Sequence, residues 1–346
     1  MINVFDITDF GAVGDGKTDC TAAIQTALDR AGEVHGCVTV PPGTYLTGEL
    51  KMHANTRLEG MAGWSFGVDG LSIFKLNDIN AKYMIDITGA FGVTIAGISM
   101  DGGCLGNNIH GIHLHWDRYN GGGREDTPTI EDCRIGRFTG NGVHLEHIWC
   151  FSVRHSMIHN NYGAGLYVDG WDGFIIDNWL TANKQGGMIG PCIASVTATG
   201  NRVEWNTVVG LKLTFGNSVN VTGNYFDRTF GPAIWIGETD GKKFENTTVT
   251  GNVSYRGGCP DRCQFGSEYE SSHVYIANGL NVTVTGNVYK VGVNDDGSGT
   301  RSPQYGIVVN NSDAIIVQSN TMRLGYMKQS IVWDKNGDCI IKDNIE

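Results

Sequence analysis

Long hydrophobic runs are missing from this chain of 346 residues. No stretch approaches the roughly 18 consecutive apolar residues of a membrane-spanning helix, so no such helix is expected. Charge is also scarce, at 18% of residues, and it is unbalanced: 36 acidic against 25 basic, a net −11. Nucleic acid and anionic membrane want clustered Lys and Arg, so neither is expected as a partner. Only 7 residues are proline. The opening Met-Ile-Asn-Val-Phe-Asp lacks both a basic region and an apolar run, so no signal peptide is expected. Localisation stays open between a cytoplasmic protein, one whose leader has been trimmed, and one released by another route such as lysis. The nine cysteines are odd in number and scattered, which reads as reduced thiols used as small hydrophobes. Cys259 and Cys263 are the one pair spaced to bridge, and no histidine stands near them to make a zinc site.

Glycine is abundant instead, at 50 residues. Many Gly, Asn and Thr with few charges describe a β-rich chain with many tight turns. A short phrase recurs: Ala-Thr-Gly-Asn at 198–201, then Val-Thr-Gly-Asn at 221–224, 249–252 and 284–287, with weaker echoes ending at Asn178, Asn320 and Asn344. A period near 23 residues means a solenoid, in which each repeat buries its apolar face against its neighbours. The asparagines are expected to form a ladder at one turn, tolerating left-handed backbone and bonding the coils above and below.

Residues 1–54 read differently from 55–346, which form one continuous run of coils. Asp19–Arg30 is expected to be a helix, with Ala23, Ile24, Ala27 and Leu28 as its apolar stripe and Thr18 or Asp19 as N-cap. Cys37–Tyr45 reads as a strand and a Pro-Gly turn. The residues Asp9-Phe-Gly-Ala-Val-Gly-Asp-Gly-Lys-Thr-Asp19, Thr21-Ala-Ala-Ile-Gln25 and Val40-Pro-Pro-Gly-Thr-Tyr45 resemble the head of the pectate-lyase-like superfamily, with Cys20 where that pattern has a second aspartate. The resemblance implies an all-β, single-stranded right-handed parallel β-helix with a short N-terminal capping helix. It says little of chemistry, because the same head precedes lyases, hydrolases, epimerases and tailspikes.

A second repeated segment carries the polar residues. It begins at Gly111, Gly142, Gly165, Gly187, Gly210, Ala233, His273, Gly306 and Ser330. Its second and fourth positions are apolar except at Gly190, so they point inward, and the third and fifth point out. The first outward row then contains His113, His144, Tyr167, Lys212, Trp235 and Tyr275. The second contains His115, Glu146, Asp169, Thr214, Asn310 and Asp334. Neighbouring coils stack about 4.8 Å apart, so the ionisable groups crowd together. One reading is a solvated polar face. The other is a site where neighbours shift pKa values for acid–base work.

Three chemistries fit this row. Glu146 and Asp169 could serve as paired carboxylates in glycoside hydrolysis, which leads. His144 or Tyr167 could abstract a proton α to a uronate carboxyl, with Lys212 or an arginine stabilising the enolate, in a lyase or epimerase. His115, Glu146 and Asp169 could hold a divalent cation, although no dedicated motif supports a cofactor. By resemblance to alginate C5-epimerases of the same superfamily, Asp169 falls on their Gly-Phe-x-x-Asp aspartate. His144 and Glu146 stand where those enzymes have Asp and His.

A further row follows the Asn ladder: His159, Thr181, Glu204, Asp227 and Tyr255, with Trp205 and Arg228 next in line and Glu238 leaning towards them. Trp116, Trp149, Trp171, Trp235 and Tyr275 offer flat faces suited to sugar rings. Loops at Tyr119–Pro128, Arg256–Ser272 and Val291–Gln304 lengthen their coils and are expected to wall a cleft or meet a neighbouring subunit. The expected protein is a glycan-active enzyme, with a non-catalytic glycan-binding or tailspike-like protein as the alternative and a homotrimer as its expected assembly.

Overall fold

The computed structural model describes residues 3–118, 123–238, 241–259, 265–291 and 302–346. Two compact units divide the chain, Met1–Phe174 and Ile175–Glu346. Both are built from short parallel strands that climb coil upon coil.

In the first unit the helix spans Thr21–Val34 rather than 19–30. Asp19 ends the preceding strand, and Cys20 takes the N-cap position. Asp19 still works for the helix, because its Oδ1 accepts from the backbone N–H of Thr21 at 2.9 Å. Ile24, Ala27, Leu28 and Ala31 are buried. Cys20, 1% exposed, accepts the Val13 N–H on its sulfur, so a thiol stands comfortably at this position.

Three strand ladders follow. The first unit stacks Tyr83–Asp86, His110–His115 and the start of Val143–Arg154. Ile112 pairs with Val143, His113 with His144, Leu114 with Leu145 and His115 with Glu146. The inward partners Ile112, Leu114, Val143 and Leu145 are at most 1% exposed. Burying each such side chain contributes about 1.5–3 kcal/mol, and a slip of one residue would turn that apolar set to solvent. In the second unit the same alternation runs through Leu211, Ile234, Val274 and Ile307, all buried. Trp333 is half-buried, the one apolar inward position that is not closed over.

Asn178, Asn201, Asn224, Asn252, Asn287, Asn320 and Asn344 form the ladder in the second unit. From Asn201 onward each Oδ1 accepts both the backbone N–H and the side-chain Nδ2 of the preceding asparagine, at 2.9–3.1 Å. The left-handed residue is not the asparagine but the one before it, such as Gly200 (φ 68°) and Gly223 (φ 65°). Glycine adopts that conformation without a Cβ penalty, which leaves the asparagine free to aim inward. A second amide ladder, Asn183 to Asn206, was not legible from the repeat.

The described end of the insertion before Ser272, residues 265–271, packs on the outer face of the second unit. Its Tyr269 joins Trp235, Tyr275, Ala277, Tyr305, Val308 and Val332 in an outer apolar cluster. Residues 119–122, 260–264 and 292–301 of the expected loops lie outside the described residues, as does the Cys263 half of the expected pair.

Candidate active site

The polar side chains of the first unit gather on its strands as aromatic rings in a column. Tyr83 stacks on His113 (centroids 4.8 Å apart, planes inclined 15°), and His113 lies 5.6 Å from His144 at 5°. His144 in turn lies 4.6 Å from Tyr167 at 13°. His110 packs beside the column, 4.4 Å from His144. The parallel register forces this, because outward residues at equal strand positions repeat every coil.

Carboxylates flank the rings. His113 donates from Nδ1 to Asp86 Oδ1 at 3.2 Å, and Asp86 also accepts from Thr88. Burial works to raise the Asp86 carboxyl, but the hydrogen bonds from His113 and Thr88 outweigh it and hold it below its ordinary value. Glu146 Oε2 accepts from His115 Nδ1 at 2.8 Å and from His144 Nε2 at 3.3 Å. Its carboxyl too is held low: burial opposes the ionised form, and the two imidazole donors more than compensate. The Tyr167 phenol moves the other way, raised by burial and then by the charges of Glu146 and Asp169, so it keeps its proton.

The imidazoles are equally constrained. Asn141 Nδ2 donates to His144 Nδ1 at 2.8 Å, while its Oδ1 accepts the Ala164 N–H at 2.8 Å. Burial, followed by the neighbouring histidines, lowers His144 against the pull of Glu146. His110, whose Nδ1 accepts the Asn141 backbone N–H at 3.0 Å, is lowered by burial to about 3. His115 is the exposed member, and its Nε2 lies 3.8 Å from Asp117.

Of the residues expected from sequence, His113, His115, His144, Glu146, Tyr167 and Asp169 stand together in this unit. Trp116 is a packing residue: its Nε1 donates to buried Asp126 and its ring stacks on Phe91. Trp171 is half-buried. Tyr83, Asp86, His110 and Asn141 were missed. The strand Tyr83–Asp86 precedes the first aligned repeat, and His110 and Asn141 sit one residue before their aligned segments. Extending the register one coil back and one residue earlier would have found all four.

The row on the Asn-ladder side keeps its expected register, Thr181 beside Glu204, Glu204 beside Asp227 and Asp227 beside Tyr255. It is not open to solvent. Glu204 is 4% and Asp227 5% exposed. Arg202 pairs with Glu204, and Trp179 Nε1 donates to it at 3.0 Å. Arg228 pairs with Asp227 and lies 4.6 Å over the Trp205 ring. Arginines therefore lie over the two carboxylates. His159, at the same position in the first unit, is 2% exposed beneath the Phe66 ring edge.

Glu238 does not lean towards Asp227. It pairs with Lys212 at 2.5 Å, and Lys212 Nζ sits 4.0 Å over the Trp235 ring. Tyr275, expected to meet substrate, is 1% exposed within the outer cluster, where its hydroxyl accepts from Asn310 at 3.3 Å. Among the described residues no group of three His, Cys, Asp or Glu is arranged to hold a metal ion. A cavity of about 620 Å³ in the first unit is lined by Asp6, Arg57, Glu59 and Asp132 and excludes the histidine column. The convergent titratable groups are the stronger pointer, because no histidine lines that cavity.

The chain matches the family described as "Right handed beta helix region" over residues 141–322, just over half its length. It is 29% identical over 201 residues to the mannuronan C5-epimerase AlgE3 of Azotobacter vinelandii, covering 52% of this chain and 10% of that protein. The chain spans no more than a fifth of the length of the curated relatives it matches. In fold it is similar to a DFA-IIIase of Arthrobacter chlorophenolicus (TM-score 0.69, 15% identity, 99% of this chain and 98% of that one). It is also similar to the A-module of the mannuronan C5-epimerase AlgE4 of Azotobacter vinelandii (TM-score 0.55, 18% identity, 99% and 97%).

Proposed function

Starting from the premise that the chain belongs to the right-handed β-helix family, we propose that its first unit carries a glycan-active site that moves a proton at a uronate carbon. The reaction class is C5-epimerisation or elimination. The observation that carries this reading is the pair of hydrogen bonds to Glu146: one carboxylate oxygen accepts from both His115 and His144. A carboxylate so engaged stays ionised, whereas the general acid of a paired-carboxylate hydrolase must hold a proton. Tyr167 is the protonated group beside it.

In this reading His115, oriented through Nδ1 by Glu146, takes the proton α to the uronate carboxyl on its exposed Nε2. The Glu146 charge supports the imidazolium that forms. Tyr167 returns a proton to carbon, or to the departing oxygen if the chain is cut. The sequence relatives support the substrate class, since several that match about half of the chain are mannuronan C5-epimerases. The net charge is no bar, because repulsion from distant carboxylates is screened beyond about 8–10 Å in physiological salt.

A hydrolase keeps one specific support in the second unit. Burial, and to a smaller degree the charge of Glu238, raises the Glu270 carboxyl against hydrogen bonds from Gly266 and Ser267 and the charge of Lys212. A carboxyl whose proton is held more tightly than usual, close to a second carboxyl group, is the arrangement hydrolysis uses. Incubation with a polysaccharide panel separates the readings. Epimers by NMR, or ultraviolet absorbance from unsaturated ends, support proton abstraction. Reducing ends without either signal move the assignment to hydrolysis, and no signal at all leaves a binding protein.

A further inference from the structure

We propose that Asn141 is a positioning residue that fixes which ring nitrogen of His144 carries the proton. Asn141 Oδ1 accepts the Ala164 N–H at 2.8 Å, so the oxygen end is committed to that backbone group. The NH2 end must then face His144 Nδ1, 2.8 Å away. An amide NH2 only donates, so Nδ1 must accept and must be bare. A neutral imidazole has one donor and one acceptor, which puts the proton on Nε2, pointing at Glu146.

The opposite tautomer fails at both ends. It would set an Nδ1–H against the amide donor and a bare Nε2 against a carboxylate. Asn141 addresses a second ring as well, since its backbone N–H donates to His110 Nδ1 at 3.0 Å. The groups facing His144 are His110 and His113 on the preceding strand, Glu146 on its own strand, His115, and Tyr167 on the next. With Nδ1 filled by Asn141 and Nε2–H given to Glu146, His144 has no lone pair left for substrate. Its part is to hold Glu146 and to back the Tyr167 ring, which leaves His115 as the base. The tautomer follows from the hydrogen bonds; its consequence for turnover rests on the proton-transfer reading above.

Asn141→Asp is the discriminating substitution. It keeps size and an acceptor for Ala164 N–H, and exchanges the donor facing His144 for an acceptor. Nitrogen-15 NMR of the full chain with labelled histidine, assigned against His144→Gln, reads the tautomer directly. Expected for the unsubstituted protein at neutral pH is a bare Nδ1 and a protonated Nε2. In Asn141→Asp both nitrogens should be protonated at the same pH, and the imidazole titration should move up by about one to three units. A protonated Nδ1 in the unsubstituted protein overturns the proposal whether or not the variant folds. So does an unchanged His144 spectrum in an Asn141→Asp protein that melts normally. If the tautomer is as stated and no uronate polymer is turned over, the assignment of Asn141 stands and the proposed function falls.

Discussion

The Tyr167 ring lies 4.6 Å from the His144 imidazole, inclined by only 13°. Stacking of this kind fixes the phenol without using its hydroxyl. Tyr167→Phe should keep the stack and the fold while removing the transferable proton. Turnover is expected to fall roughly 10²- to 10⁴-fold with KM and melting temperature little changed, the usual span for a lost acid–base group. Activity within tenfold of the parent would remove Tyr167 from the chemistry.

Glu146→Gln should abolish turnover for a different reason, loss of the charge that supports His115. Its stability effect has a defined sign. The folded carboxyl sits below its ordinary 4.5, so the stabilisation it contributes is present above that value and disappears as pH falls through the folded pKa. Urea unfolding should therefore separate parent and variant at pH 7 and bring them together once the pH has fallen below the folded carboxyl's own pKa. A gap that widens in acid would contradict the hydrogen bonds drawn to Glu146.

Acid should weaken the fold through histidines that burial keeps neutral. His110 and His273 are lowered to about 3 and His159 to about 4, from an ordinary 6.5. An unfolded chain binds their protons first, so stability is full above 6.5 and declines as pH falls towards 4. A calorimetric melting series over that window should slope downward. His273→Gln, which removes a fully buried imidazole bonded to Ser254, should flatten it.

The Asn ladder makes a stability prediction without a functional one. Asn224→Ala removes the acceptor of two donors from Asn201 and the donor to the Ala198 carbonyl. Leaving buried groups unpaired costs about 1–3 kcal/mol each. A loss of roughly 3 kcal/mol or more is expected in denaturant unfolding, and a loss under 1 kcal/mol would mean the ladder relaxes around the gap.

Asp227→Asn tests the covered row. Its carboxylate lies under Arg228 with Arg256 at 3.9 Å, so the substitution should lower the melting temperature and leave turnover intact. Lost activity with an unchanged melting temperature would return this row to candidacy.

Register was legible because two periodicities reinforce each other. Alternation sends Ile112 and Leu114 inward, and the coil period then places His113 beside His144 and His115 beside Glu146. Depth was not legible. Outward residues at Glu204, Asp227 and Tyr275 are all displaced from the surface by something at another coil position: arginines in the first two cases, the segment carrying Tyr269 in the third. Arg228, which reaches back from just beyond the strand Tyr225–Asp227, and the segment carrying Tyr269 leave no trace in the alternation. Protonation was hidden for the same reason, because Asn141 acts from a turn one residue outside the aligned segment.

The ladder asparagines are joined across 23, 23, 28, 35, 33 and 24 residues, yet every link has the same geometry. The length of a coil is therefore independent of the join between coils. A segment added between two ladder positions changes what one coil presents to solvent and leaves the adjoining amides where they were. The scaffold can acquire a new loop, and with it a new specificity, without refolding its neighbours.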